Sequence, residues 1–234
     1  MKEILIPRIS PYSFIFPDPR NSSKEGLVAF GGDLDPNRVL SAYKKGIFPW
    51  YNEGDPILWW SPDPRLVLYP HKLKISRSLK KILKKNIFEV KVDTAFYEVI
   101  KSCQTVKRRE QEGTWILPEI VEVFTKLHHM GFAHSIEVYK DGELVGGLYG
   151  LSLGAAFFGE SMFSKVSDTS KVALVKLVEI STKLGFNFID CQISSDHLKK
   201  MGAEEISRER FLDELEIAMQ KPSKIGKWEL GIRN

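Results

Sequence analysis

Two cysteines, Cys103 and Cys191, are all that the 234 residues contain. That is too few for a disulfide framework, so a reducing cytosol is the expected setting. Long hydrophobic runs are missing as well. The longest uncharged stretch, Leu144 to Gly159, falls short of the roughly 20 residues that span a bilayer, and its glycines suit turning strands. Met1 to Ile6 runs into Pro7 with no apolar core behind it, which predicts no secretory leader. His128-His129 falls on a predicted helix and His134 opens a predicted strand, with no cysteine or carboxylate at ligand spacing, so no metal is expected. The glycines from Gly142 to Gly154 occupy strands and turns instead of a strand-to-helix junction, and Ser161 lacks a strand–turn–helix setting. Neither a nucleotide fingerprint nor a nucleophile elbow is present, and no cofactor is expected.

Acidic residues are absent from Lys72 to Lys85, which carries Lys72, Lys74, Arg77, Lys80, Lys81, Lys84 and Lys85. The net charge is only +4, so without those seven its sign would reverse. Along Ser76 to Lys85, Leu79, Ile82 and Leu83, with Ile75 just before, share one helical side. Arg77, Lys80, Lys81 and Lys84 recur on the other at i, i+3, i+4 and i+7. A solvated charged face usually mixes signs through i,i+4 pairs; a one-signed face has the character of a phosphate-binding footprint. Lys107-Arg108-Arg109 is a candidate extension of it.

The order of elements predicts a mixed α/β (α+β) fold with a largely antiparallel sheet. Residues 1–62 are rich in proline, glycine and aromatics, with a single helix from Arg38 to Lys45, and read as a small loop-rich domain that ends near Pro62-Asp63-Pro64. Residues 63–234 alternate. Strands are predicted at Arg65–Tyr69 and Ile87–Val92, and helices at Ser76–Lys85, Thr94–Cys103 and Pro118–Met130. A meander follows at His134–Tyr139, Glu143–Leu151 and Ala155–Phe163, with Asp141-Gly142 as a hairpin turn. The helix Ser170–Leu184, the strand Phe186–Gln192 and the helices Asp196–Met201 and Arg208–Gln220 complete it.

Two strands carry the chemistry. Side chains on a strand alternate with period two, so Asp190 and Gln192 project to one side and Cys191 to the other, and Glu160 and Met162 share a face. A carboxylate and an amide together at a strand end can orient an amine, while a second carboxylate beside an apolar residue can select a cationic substrate. Asp190 and Gln192 have a plainer reading too, as caps of the next turn.

Taken in order, Gly26–Pro36, Lys45–Trp50, Trp59–Arg65, Gly113–Ile116, Gly159–Phe163 and Asp190–Gln192 resemble the leucyl/phenylalanyl-tRNA–protein transferase family, from about Phe16 to about Phe211. The resemblance implies transfer of Leu or Phe, with Met as a further donor, from aminoacyl-tRNA to proteins that begin with Arg or Lys, marking them for degradation. It implies a large domain of the acetyltransferase (GNAT) type. It also implies roles: Asp190 and Gln192 in catalysis, Glu160 facing the acceptor's basic residue, and Trp50, Trp115 and Tyr43 at the tRNA 3′ adenosine. Met162, Leu174 and Leu177 would line the aminoacyl pocket. With a tRNA substrate implied, Arg77, Lys80, Lys81 and Lys84 become phosphate contacts. Whether Asp190 takes the proton or only orients Gln192 stays open.

Three rivals compete. An acyl-CoA-dependent N-acetyltransferase needs a glycine-containing loop where this chain has Phe163 to Lys171, which holds none. A non-catalytic RNA-binding module would use the same basic helix and tryptophans without turnover. A membrane-wall aminoacyltransferase would not match in both domains.

Overall fold

The computed structural model describes residues 6–106 and 116–228. In the first sixty residues, β1 (Arg8–Ile9), β2 (Leu27–Gly31), α1 (Pro36–Lys44), β3 (Phe48–Pro49) and β4 (Leu58–Trp60) build a sheet of order β1-β2-β4-β3. Asp35 accepts the backbone N–H of Asn37 at 2.8 Å and Pro36 opens the first turn, so α1 starts where a cap and an N1 proline coincide. Gly46 ends it at φ +72°, and a Cβ there would lie 2.7 Å from Phe211 and 2.9 Å from Leu212. Both the turn and the close approach require glycine. The loop-rich expectation missed this sheet, because three of its four strands, at two or three residues, are too short to show an alternation, and the five-residue β2 is an apolar run without one.

The rest of the chain forms a second, seven-stranded sheet. Its elements are β5 (Arg65–Leu68), α2 (Arg77–Lys84), β6 (Glu89–Val92), α3 (Phe96–Thr105), α4 (Pro118–His129) and β7 (Ala133–Lys140). They continue with β8 (Glu143–Leu153), β9 (Ala156–Ser164), α5 (Thr169–Leu184), β10 (Phe188–Gln192), α6 (Asp196–Lys200), β11 (Glu204–Ile206) and α7 (Arg208–Met219). The order is β11-β5-β10-β9-β8-β7-β6, with β9 and β10 parallel and the other neighbours antiparallel. This is the mixed, largely antiparallel α/β fold that the sequence predicts. Each predicted element from Arg65 onward recurs with its ends shifted by no more than two residues; β11 and a short 3-10 turn at Pro70–Lys72 are additions. Asp141 and Gly142 turn the hairpin with φ of 52° and 83°, as a primed turn requires.

Two cores flank this sheet. One face packs against α3, α4 and α7, and residues of the N-terminal segment, among them Phe16, Trp59 and Phe48, belong to that same core. The other face packs against α2 and α5. There Trp228 stacks on His134 at 3.9 Å and donates its backbone N–H to Asp93 Oδ2 at 3.1 Å. Among the described residues no helix is long and apolar enough to cross a membrane.

Candidate active site

The site grows from the junction of β5, β9 and β10. Asp190 is fully buried on β10, and Arg65, 1% exposed at the start of β5, grips it. Arg65 Nε donates to Asp190 Oδ1 at 2.9 Å and Nη2 to Oδ2 at 2.7 Å. The guanidinium lies over the rings of Phe211 and Phe48, 4.4 and 4.9 Å from their centroids. Such a fork fixes the plane of the carboxylate as well as its charge. The β5–β10 register shifts between Asp190 and Gln192, which leaves Cys191 as a bulge. Beyond it Gln192 adopts φ +63°, a left-handed conformation that costs a side-chain-bearing residue roughly 1–2 kcal/mol. Its backbone N–H donates to Asp190 Oδ1 at 2.8 Å, which offsets part of that cost.

Glu160 of β9 closes the group. It is 8% exposed and accepts two hydrogen bonds on Oε1, from Tyr43 Oη at 2.7 Å and from Gln192 Nε2 at 2.9 Å. Burial raises its pKa to about 8; the Tyr43 bond opposes this, nearby Asp190 adds to it, and Arg65 and Gln192 pull it back down. Near neutral pH the carboxyl is therefore poised to give up its proton when a cation arrives. Burial first, then Glu160, holds the Tyr43 hydroxyl well above its usual range.

A cavity of about 620 Å³ opens beside this cluster. Met162, Leu174, Leu177 and Ile189 contribute apolar lining, Glu160 and Gln192 polar lining, and Trp50 lines it too with 36% exposure. The Trp50 indole meets Trp60 edge-on at 6.2 Å, and Trp60 Nε1 donates to the Trp50 carbonyl at 2.7 Å. Trp59, by contrast, is a core residue, with Nε1 on the Gly31 carbonyl at 2.9 Å.

The structure thus brings Asp190, Gln192, Glu160, Met162, Leu174, Leu177 and Trp50 together, and differs from the sequence expectations in three places. Glu160 and Met162 do not share a face. The β8–β9 register shifts between Tyr149 and Gly150, opposite Ser161 and Gly159, so Glu160 is an extra residue that reverses the alternation. It turns to Tyr43 in one core, while Met162 packs against the α5 core. Second, Asp190 holds the backbone of Gln192; the side-chain amide goes to Glu160. Third, Tyr43 is buried edge-on to Phe158 and Phe124, at 5.3 and 6.4 Å. Its ring offers no face to a base, and only its hydroxyl reaches the cluster. Trp115 and Lys107-Arg108-Arg109 lie outside the described residues.

Arg65 is the site residue that strand reading missed. Its one signal is a charge opening the otherwise apolar run Leu66-Val67-Leu68. Cys191 was placed opposite Asp190, and it does pack with the α5 core; it also lines the cavity. Its thiol is pushed well above the usual range by burial and the neighbouring Asp190, which makes it a wall and a poor nucleophile.

On α2, the Ser76 hydroxyl caps the Leu79 N–H at 3.2 Å, and Leu79, Ile82 and Leu83 face the α5 core. Arg77, Lys80, Lys81 and Lys84 are exposed. Among the described residues none of the four forms an ion pair, whereas Lys72 bonds Glu204 at 2.8 Å.

Comparison with known proteins gives two family matches. Residues 67–216 fit the family described as leucyl/phenylalanyl-tRNA protein transferase, and residues 32–63 fit its N-terminal domain. A leucyl/phenylalanyl-tRNA–protein transferase of Myxococcus xanthus is 55% identical over 93% of this chain and 93% of that one. The protein of the same name from Legionella pneumophila strain Corby is 55% identical over 93% and 97%. Among solved structures, a GCN5-related N-acetyltransferase from Kribbella flavida is 9% identical at a TM-score of 0.39, over 72% of this chain and 60% of that one. That backbone likeness is loose.

Proposed function

Because this chain belongs to the leucyl/phenylalanyl-tRNA–protein transferase family, we propose that it moves Leu or Phe from aminoacyl-tRNA to the α-amine of proteins that begin with Arg or Lys. It is a transferase acting between an aminoacyl-tRNA and a protein N-terminus. Met is a further candidate donor, and degradation of the tagged protein in the cytoplasm is the expected outcome. Residues 1–62 and 63–234 serve as its two domains, joined by their common core.

The observation that carries this reading is a cavity lined by both apolar side chains and the Glu160–Gln192 pair. Apolar lining from Met162, Leu174 and Leu177 suits a Leu or Phe side chain, and Glu160 and Gln192 add polar groups to the same cavity. The ester of an aminoacyl-tRNA is already activated, so no covalent enzyme intermediate is needed. What remains is to hold a neutral amine in line with the carbonyl. An α-amine with a pKa of roughly 7.7–8.0 has a useful neutral fraction near pH 7. Its nitrogen forms the new amide bond, the ester bond to the terminal ribose breaks, and the released ribose oxygen ends with the proton.

Each residue then has a task. Gln192 commits its Nε2 to Glu160, which leaves Oε1 to accept a hydrogen bond from the amine. Asp190 is buried with both oxygens engaged, which favours an orienting role over proton transfer. Both internal bonds to Glu160 fall on Oε1; Oε2 receives the guanidinium or ammonium of the acceptor's first side chain. Trp50, with Trp115, stacks on the terminal adenosine. Tyr43 serves the same end of the site indirectly, by holding Glu160. The exposed cations Arg77, Lys80, Lys81 and Lys84 take tRNA phosphates.

The test mixes purified protein with labelled Leu-tRNA and a polypeptide that begins with Arg. Label enters the polypeptide without added ATP, metal or CoA. An intact ester after incubation with the folded protein overturns the reading, and so does transfer that ignores the acceptor's first residue.

A further inference from the structure

Gln192 is fixed at two points. Its side-chain Nε2 is on Glu160 and its backbone N–H on Asp190 Oδ1. Behind Asp190 stands Arg65, which supplies both the Nε and Nη2 bonds and itself packs on the rings of Phe211 of α7 and Phe48 of β3. Arg65 takes no part in the cavity wall, so it touches neither substrate there.

We propose that Arg65 is a positioning residue for the transfer: acting through Asp190, it locks the Cys191 bulge and the left-handed backbone of Gln192, and so determines that the oxygen of the Gln192 amide faces the arriving amine. The step from fork to amide is geometric. Two parallel N–H bonds hold the Asp190 carboxylate in one plane, and in that plane Oδ1 meets the Gln192 N–H. Release of the carboxylate frees Gln192 to leave φ +63° for an ordinary backbone conformation, and its side chain then no longer reaches Glu160. Once the acceptor's cation has arrived and Glu160 is ionised, a reversed amide would set its oxygen against that carboxylate and turn its NH₂ toward the amine. There it would donate to the lone pair that must attack the ester and offer no acceptor for the amine's N–H. Lysine at position 65 would keep the charge and lose the fork.

This inference rests on the reading of Gln192 as the group that receives the amine. Two variants test it: Arg65→Lys, and the charge-free pair Arg65→Gln with Asp190→Asn. The pair is included because exchanging a buried ion pair for neutral groups of similar size is often neutral for stability, whereas leaving one charge alone is not. Three quantities are measured on each: the NMR signal of the Gln192 side-chain amide, the Kd of an aminoacyl-adenosine analogue, and kcat for a peptide beginning with Arg. In both variants the amide signal is expected to move to the position of a solvent-averaged glutamine. Transfer falls by at least about tenfold while donor affinity stays within about twofold. An unmoved amide signal with full transfer in the folded pair overturns the proposal, as does donor affinity falling in step with transfer. If Gln192→Ala itself transfers normally, the reading of Gln192 has failed, and the amide signal still reports separately whether Arg65 fixes that side chain.

Discussion

The cluster around Gln192 and the exposed face of α2 treat charge in opposite ways. In the cluster, Arg65, Asp190 and Glu160 are buried and joined through internal hydrogen bonds. On α2, Arg77, Lys80, Lys81 and Lys84 stand in solvent with no ion-pair partner among the described residues. Buried, pre-paired charges have no long-range reach, but they hold atoms in place at the moment of reaction. Exposed charges of one sign hold nothing in place, yet their field gathers a polyanion and releases its counterions. On the proposed reading, the same residue types serve orientation in one region and attraction in the other, and burial decides which.

The sharpest way to break that contrast is at Gln192. Gln192→Ala should lower kcat by on the order of 10²-fold with donor binding and melting temperature nearly intact. Asp190→Asn should lose comparable activity and, because it strands the Arg65 charge, about 3–5 kcal/mol of stability as well. Kinetics beside thermal melts separate the two. Equal stability losses in both variants would make the cluster merely structural.

Glu160 is expected to show the next largest effect. A charge-assisted bond to the acceptor's cation contributes roughly 1.5–3 kcal/mol, so Glu160→Gln should reduce kcat/KM for Arg- and Lys-starting peptides by about 10- to 150-fold. Its pH behaviour has a fixed sign. The folded pKa of about 8 lies above the ordinary value of 4.5, so between those values the folded state binds a proton that the unfolded chain has lost. Stability from this group is fully present below about pH 4.5 and drains away as pH rises through about 8. The Gln variant should lack that slope in melts taken across the window, while the parent's KM for basic acceptors should fall as pH approaches 8. A parent and variant with parallel melting curves would remove Glu160 as the source.

Reversing Lys80, Lys81 and Lys84 to Glu probes the other region. If each neutralises one phosphate, the slope of log affinity against log salt should drop by about 3. Transfer from an aminoacyl-adenosine donor should barely change. Equal losses with both donors would mean that α2 supports the fold. Tyr43→Phe should have the smallest consequence: it deletes one donor to Glu160, so the acid limb of the pH–rate profile moves to higher pH, with donor affinity preserved. Loss of donor affinity instead would return Tyr43 to the adenosine.

Much of this contrast was visible in the sequence. The one-signed face of α2 is local, since residues three and four apart suffice to define it. The strands carrying Glu160, Asp190 and Gln192 were legible for the same reason, through period-two patterning. The bulges at Cys191 and opposite Tyr149 were not, because an inserted strand residue has no compositional mark, and one such residue reversed the predicted face of Glu160 relative to Met162. Arg65 was harder still. Its partner lies 125 residues away, and nothing near Arg65 announces that a strand from the other half of the chain will pair beside it. Tyr43 was assigned to the adenosine by resemblance alone, and its burial against Phe124 and Phe158 rests on residues more than 80 positions away in the chain.

Phe48, Pro49 and Trp50 line the cavity from β3 and the residue after it, while Glu160 and Gln192 of the large sheet and Leu174 and Leu177 of α5 line it from the rest of the chain. A chain cut after Pro62 would therefore give two fragments that each carry part of the cavity wall and no complete reaction centre. Phe48 would also leave the Arg65 guanidinium uncovered on that side. Made separately, the fragments should be silent; brought together on fused binding partners, they should regain aminoacyl transfer only when the partners meet. The seam between the sheets is thus a natural place to build a proximity sensor whose output is a new amino acid on a protein's end.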